Sequence, residues 1–221
     1  MEKNFVELFC GFGVVTDYFK QAGFNTWKTD IRKRKGICEP DLRKNILELK
    51  IFEIPFKKIH VLWASLPCDV WSYASGDFHW NKDGYPKTQK CIDHIEILKK
   101  SLAIIDELNP DIFFIENPRG RLRNFQPFVK WLEKHHGVIK TLTYSSYGFP
   151  ATKPTNIFTN AKEISFRELD SFGRGAKLKF KLNNISVCQK QKVPGLLAEH
   201  ILNYSLKKVR VEIPLYNRAN N

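Results

Sequence analysis

Residues 4–30 read NFVELFCGFGVVTDYFKQAGFNTWKTD, and this stretch decides the fold. Residues 4–9 are an apolar run of strand length, residues 14–21 space apolar side chains at helical intervals and close on Gly23, and residues 24–30 return as an extended segment ending in Asp30. The product is a β-α-β unit with the glycine-bearing turn Phe9-Cys10-Gly11-Phe12-Gly13 after its first strand. Glycines in such a turn let a ligand lie against the backbone at a helix N-terminus, and Asp30 at the end of the next strand suits two ribose hydroxyls. Lacking the third glycine of a dinucleotide fingerprint, the turn alone is also compatible with a plain tight turn and a surface aspartate.

Working outward, residues 59–64 form a second strand-like run that leads into Ser65-Leu66-Pro67-Cys68-Asp69. A thiol at a strand end, after a proline and beside a polar and aromatic loop, is a candidate nucleophile with solvent access and a lowered pKa. Residues 111–115 are a further strand ending in Glu116-Asn117-Pro118, which places a half-buried carboxyl, suited to proton donation near neutral pH, on the corresponding sheet edge. The plainer roles are an ion pair of Glu116 with Arg119, Arg121 or Arg123, and packing for cysteine, the role expected of Cys10, Cys38, Cys91 and Cys188.

Residues 69–90 hold Trp71, Tyr73, Phe78, His79, Trp80 and Tyr85 among small polar residues without a period, and read as a long functional loop. From Cys91, apolar residues spaced by three and four predict a helix that Asn109-Pro110 ends. Residues 125–135 predict a helix, 138–144 a strand, 155–159 a short strand, and about 193–207 a C-terminal helix; residues 210–221 read as a frayed tail. This alternation implies right-handed crossovers and an α/β fold built on a doubly wound, mostly parallel sheet. A single domain spanning residues 1–221 is expected.

Lys+Arg number 36 against 23 Asp+Glu, a formal net charge of +13 that attracts polyanions or acidic membrane surfaces and favours nucleic acid as partner. The basic segment Arg32-Lys33-Arg34-Lys35-Gly36 reads equally as a solvated loop or a phosphate contact. Five cysteines without a C-x-x-C pair predict reduced thiols and no metal site. No signal-peptide pattern and no apolar run of spanning length occur, so the expectation is a cytoplasmic protein with no membrane partner.

Taken together, Glu7-Leu8-Phe9-Cys10-Gly11-Phe12-Gly13, Leu66-Pro67-Cys68, Glu116-Asn117-Pro118 and Tyr147-Gly148-Phe149-Pro150 resemble, in order, the cofactor, nucleophile, acid and pocket motifs of cytosine-5 DNA methyltransferases that use S-adenosyl-L-methionine. The resemblance covers residues 4–160, and the wording around Cys68, Glu116 and Lys153-Pro154-Thr155 is most similar to compact bacteriophage members. It implies a Rossmann-like S-adenosylmethionine-dependent methyltransferase fold. It implies Cys68, Glu116 and Asn117 as catalytic residues, with Asn117 orienting the Cys68 loop. Phe9, Cys10, Gly11, Gly13, Asp30, Ile31 and Pro67 are implied at the cofactor, with the adenine contact open between Asp41 by type and Asn45 by position. Ser72, Arg119, Lys153 and Thr155 are implied at the substrate. Three departures stand out: Val14 replaces a glycine, Lys153 and Thr155 replace an arginine pair, and the target-recognition region at about 160–192 is short.

The implied partner is DNA, its cytosine flipped out or single-stranded, and the implied state is a monomer in a bacterial or phage-infected cell. Alternatives are an RNA (transfer RNA) cytosine-5 methyltransferase, a catalytically silent nucleic-acid-binding regulator on the same fold, and, more weakly, a thiol hydrolase. Against the last, His60, His79 and His94 read as loop or surface residues rather than as a base for Cys68.

Overall fold

The computed structural model describes residues 2–33, 38–167 and 185–209, without the side chains of residues 187 and 188. Parts of the basic segment at 32–36 and of the region at 160–192, the Cys188 side chain and the tail at 210–221 therefore lie outside the described residues.

Seven strands form one sheet in the order β3-β2-β1-β4-β5-β7-β6. The strands are β1 (Asn4–Leu8), β2 (Asn25–Asp30), β3 (Leu42–Arg43), β4 (Val61–Ser65), β5 (Ile112–Pro118), β6 (Val138–Thr143) and β7 (Pro154–Thr159). Strands β1 to β5 pair in parallel, whereas β7 runs antiparallel to both β5 and β6. The sheet is thus mostly parallel, with one reversed strand that the sequence pattern did not show. Its order reverses between β1 and β4, the point where open α/β sheets form a crevice at the carboxyl ends of their strands.

Strand periodicity divides the core in two. Leu62, Ala64, Phe113 and Ile115 pack on one face against α2 (Gln89–Leu108) and α3 (Gln126–Lys134), while Val61, Trp63, Ile112 and Phe114 pack on the other with residues of α1 (Val14–Gln21) and α5 (Gly195–Lys208). Since both faces are covered, β1 and β4 are buried at almost every position, without the in-out alternation of a half-exposed strand. Between the last two strands and the final helix lies a short helix, α4 (Val187–Lys190).

Helix ends follow from identifiable side chains. Thr88 caps α2 by accepting the Cys91 amide, and Asn109 stops it in the left-handed region at φ 41° just before Pro110. Glu7 does the same service for α1 from inside the sheet: its Oε2 accepts the Thr16 amide at 2.9 Å and the Thr16 hydroxyl. Phe19 then stacks on Phe5 with ring centroids 4.0 Å apart, which seats α1 on β1.

Candidate active site

Four parallel strands deliver the expected residues to one edge. At the end of β1, Phe9, Gly11 and Gly13 all take positive φ, at 58°, 53° and 69°, and the Gly13 amide closes on the Cys10 carbonyl at 2.7 Å. A Cβ on Gly13 would come within 2.9 Å of the Cys38 sulfur, so the position excludes larger residues by space as well as by conformation. A Cβ on Gly11 would meet only the Phe9 carbonyl at 4.0 Å, which leaves open space against the backbone. Asp30 ends β2 beside this turn, and its two oxygens accept the Gly11 and Arg32 amides, each at 2.9 Å.

Ile31 is 54% exposed next to Asp30, an apolar surface on an otherwise polar rim. Asp41 is exposed and accepts the Lys28 amide at 2.9 Å, so its carboxylate is engaged on β2. Asn45 lies beyond the end of β3, where its Oδ1 accepts the Leu47 amide at 3.1 Å and caps a short turn.

Cys68 follows β4, whose last residue, Ser65, is registered against Glu116 on β5. The adjacency of β4 and β5 therefore brings thiol and carboxyl into one place. Contrary to the lowered pKa expected from its context, the Cys68 thiol is pushed up to about 11, first by burial and then by the Glu116 carboxylate, with the Lys153 ammonium opposing both. A strand-end cysteine looks exposed in a linear reading, but Cys68 is half-buried, with the Trp71 and Ser72 amides folded back onto its carbonyl. Strand β5 also runs on through Pro118 instead of stopping at 115, because its pairing with β7 continues to Thr155, and Glu116 is fully rather than half buried.

Glu116 pairs with none of the three arginines; Tyr144 donates to its Oε1 at 2.9 Å, and the Lys153 ammonium stands 3.8 Å from the same atom. Asn117 is fully buried and donates to the Leu66 carbonyl at 3.1 Å, which ties β5 to the backbone just ahead of Cys68. Its Oδ1 has no partner among the described residues. On the other side, the His94 ring of α2 stands near the Pro67 backbone. His94 and His79 are buried rather than on the surface, and burial lowers the pKa of His94.

The loop after Cys68 is stapled by part of its own aromatic content. Trp71 and Trp80 are buried against Phe125, the Trp80 indole donates to the Val70 carbonyl at 2.7 Å, and the Arg121 amide donates to the Trp71 carbonyl at 2.7 Å. Ser72 caps a turn through the Ala74 amide and bridges to Gly120, while Arg121 pairs with Asp77. Tyr73, Phe78 and Tyr85 stay exposed, and so does Arg119. Thr155 is fully buried, its hydroxyl donating to the Lys153 carbonyl and lying beside the Tyr144 phenol.

Sequence reading missed Tyr144 and His94, since a tyrosine closing an apolar strand and a histidine within a helix carry no local signal of a site. Two shallow cavities of about 280 and 370 Å³ both border Glu163 and Tyr204 and include none of the residues gathered around Cys68.

The sequence profile of C-5 cytosine-specific DNA methylases matches residues 3–150. Among solved structures, the Entamoeba histolytica methyltransferase EhMeth is similar at a TM-score of 0.58 and 12% identity, over 96% of this chain and 100% of that one. A Spodoptera frugiperda DNMT2 mutant is similar at 0.48 and 18%, over 76% of this chain and 53% of that one. A putative DNA modification methyltransferase encoded within an E. coli prophage is similar at 0.49 and 14%, over 75% and 49%. The chain spans about half the length of these last two. No curated protein matches it. The seven-stranded sheet is the Rossmann-like fold of methyltransferases.

Proposed function

Because the chain belongs to the C-5 cytosine-specific DNA methylase family, we propose that it transfers a methyl group from S-adenosylmethionine to carbon-5 of cytosine in DNA, with Cys68 as the nucleophile. The observation that carries this reading is the convergence of Cys68 and Glu116 from adjacent parallel strands, with each charge opposing the other.

Carbon-5 of cytosine is a poor nucleophile, and the residues of this crevice correct that. Cys68 sulfur bonds to carbon-6 while Glu116 gives a proton to ring N3, so that electron density collects at carbon-5. The two acids compete for one negative charge: once Glu116 is protonated against the base, the thiolate form of Cys68 is favoured, and the Lys153 ammonium supports it. After the methyl group arrives, the carbon-5 proton passes to solvent water, the carbon-6 to sulfur bond breaks to release the Cys68 thiolate, and N3 returns its proton to Glu116. Asn117 holds the Leu66 carbonyl, and with it the approach of the thiol, throughout. Within the substrate set, Lys153 is the cation beside Glu116, while Ser72 fixes the loop turn.

The residues present fit the cofactor, which supplies an electrophilic methyl group. The open space against Gly11, the tight Gly13 turn, the carboxylate of Asp30 and the exposed Ile31 would hold its ribose and base, with Phe9, Cys10 and Pro67 lining the turn and the approach to Cys68. For the adenine edge both candidates stand: Asp41 accepts the Lys28 amide on one carboxylate oxygen, and Asn45 accepts the Leu47 amide on its side-chain oxygen.

For the nucleic acid, Lys82, Lys87, Arg119 and Arg123 lie on or beside the loop after Cys68 and form no ion pair among the described residues, next to exposed Tyr73, Phe78 and Tyr85. Cations of this kind track phosphates and the rings stack on bases freed from pairing, which a flipped or unpaired cytosine requires. The deciding experiment presents purified protein and S-adenosylmethionine with 5-fluorocytosine in duplex DNA, single-stranded DNA and transfer RNA. A denaturation-resistant adduct on DNA, lost in Cys68→Ala, is expected; an adduct that persists in that variant rejects Cys68, and one formed on RNA alone rejects DNA.

A further inference from the structure

The reaction above uses the Glu116 carboxyl as a proton donor but does not say which of its oxygens carries the proton. Two side chains from the connection between β6 and β7 decide this. Tyr144, at the end of β6 and 1% exposed, donates its hydroxyl hydrogen to Oε1 of Glu116 at 2.9 Å. The Lys153 ammonium lies 3.8 Å from that same oxygen and 4.3 Å from the centroid of the Tyr144 ring, and it is anchored by donating to the Lys190 carbonyl at 2.9 Å. No described residue hydrogen-bonds Oε2.

We propose that Tyr144 is a positioning residue for Glu116: by occupying Oε1 as an acceptor, it confines the acid's proton to Oε2, the oxygen left free for a ligand. The inference rests on the proposed methyl transfer and adds to it the residue that orients the acid. A carboxylic acid carries one proton, and an oxygen already accepting a hydrogen bond beside an ammonium is the poorer place for it. Burial and the neighbouring Glu116 carboxylate hold the phenol well above its usual range, so Tyr144 remains a donor at every working pH.

The step then balances. Starting from the Cys68 thiolate and the protonated acid, the sulfur bonds to carbon-6 as the Oε2–H bond breaks and its proton moves to N3; the carboxylate left behind is held by the Tyr144 hydroxyl and the Lys153 ammonium. Elimination of the thiolate returns the N3 proton to Oε2. Tyr144 touches neither base nor cofactor in this scheme, so its removal slows the chemical step without loosening either ligand.

Tyr144→Phe is the test, because it keeps the ring, its burial and its contact with Lys153 and deletes only the hydroxyl. The rate of 5-fluorocytosine adduct formation should fall roughly ten- to a hundredfold, with cofactor affinity and the KM for DNA changed less than about threefold. In parallel, the infrared difference spectrum of the protein minus its Glu116→Gln variant isolates the Glu116 carboxyl band, which Tyr144→Phe should shift. An unchanged adduct rate, or a proportional loss in KM alone, overturns the assignment. If the parent protein forms no adduct with any nucleic acid, the methyl-transfer reading falls, and the infrared measurement still decides for Tyr144: an unmoved band removes it from Glu116.

Discussion

Gly120 lies so close under the Trp71 carbonyl that a Cβ there would stand 2.0 Å from the oxygen. The backbone is extended at this residue, so the requirement is one of space and not of conformation. The contact lets Ser72 and Gly120 bridge, and it fixes the loop after Cys68 to the segment after Glu116. Gly120→Ala should therefore push the loop away from the crevice. Turnover is expected to fall roughly a hundredfold with thermal unfolding only modestly earlier, measured by methyl incorporation and calorimetry; unchanged turnover would show that the loop does not need this seat.

Alkylation by iodoacetamide, followed by peptide mass analysis, reads the electrostatics of Cys68 directly. With its pKa near 11, roughly one thiol in a thousand is ionised at pH 8, so the rate should climb about tenfold per pH unit through that region. Glu116→Gln removes a charge that raises this pKa and should speed alkylation at fixed pH. Lys153→Met removes a charge that lowers it and should slow the reaction. Equal rates in the two variants would contradict the coupling.

Glu7 governs stability through a different titration. Burial lifts its pKa from the ordinary 4.5 to about 7, against the opposing hydrogen bonds from Thr16. The folded chain thus binds this proton more tightly than the unfolded chain. Its contribution is complete below about pH 4.5 and is lost as pH rises through 7, a change on the order of 3 kcal/mol. Melting temperatures recorded from pH 5 to 8 should fall more steeply for the parent protein than for Glu7→Gln, which keeps an acceptor for the Thr16 amide; identical slopes would place the titration elsewhere.

Asp30 and Glu116 should separate by ligand. Asp30→Ala removes the acceptor of the Gly11 amide along with the group offered to the ribose, so S-adenosylmethionine affinity should drop roughly tenfold or more in calorimetric titration. Glu116→Gln should leave that affinity nearly intact while turnover collapses. A large affinity loss confined to the Glu116 variant would reverse the two roles.

How far the sequence led depends on the distance over which each signal acts. The β-α-β unit at 4–30 was legible because a strand-length buried segment, helical spacing and the glycine turn are all local. The end of β5 was misplaced because Glu116-Asn117-Pro118 interrupts the apolar run, while the strand is prolonged by partners on β7, far along the chain. For the same reason the reversal of β7 was invisible: it follows from how the turn at Tyr144–Tyr147 redirects the chain. Cys68 was found by its neighbours in sequence, yet its protonation is ruled by Glu116 and Lys153, which only folding brings near. Tyr144 belongs to that second kind of information altogether.

Arg167 and Lys190 are fastened to one piece of scaffold. The Arg167 amide donates to the Tyr147 hydroxyl at 2.9 Å, and the Lys190 carbonyl receives the Lys153 ammonium. Both partners, Tyr147 and Lys153, belong to the connection between β6 and β7. For protein engineering this offers two fixed attachment points. A segment with a reading function of its own, grafted between Arg167 and Lys190, would inherit a defined entrance and exit, and a displacement of Lys190 would reach Glu116 through a single lysine.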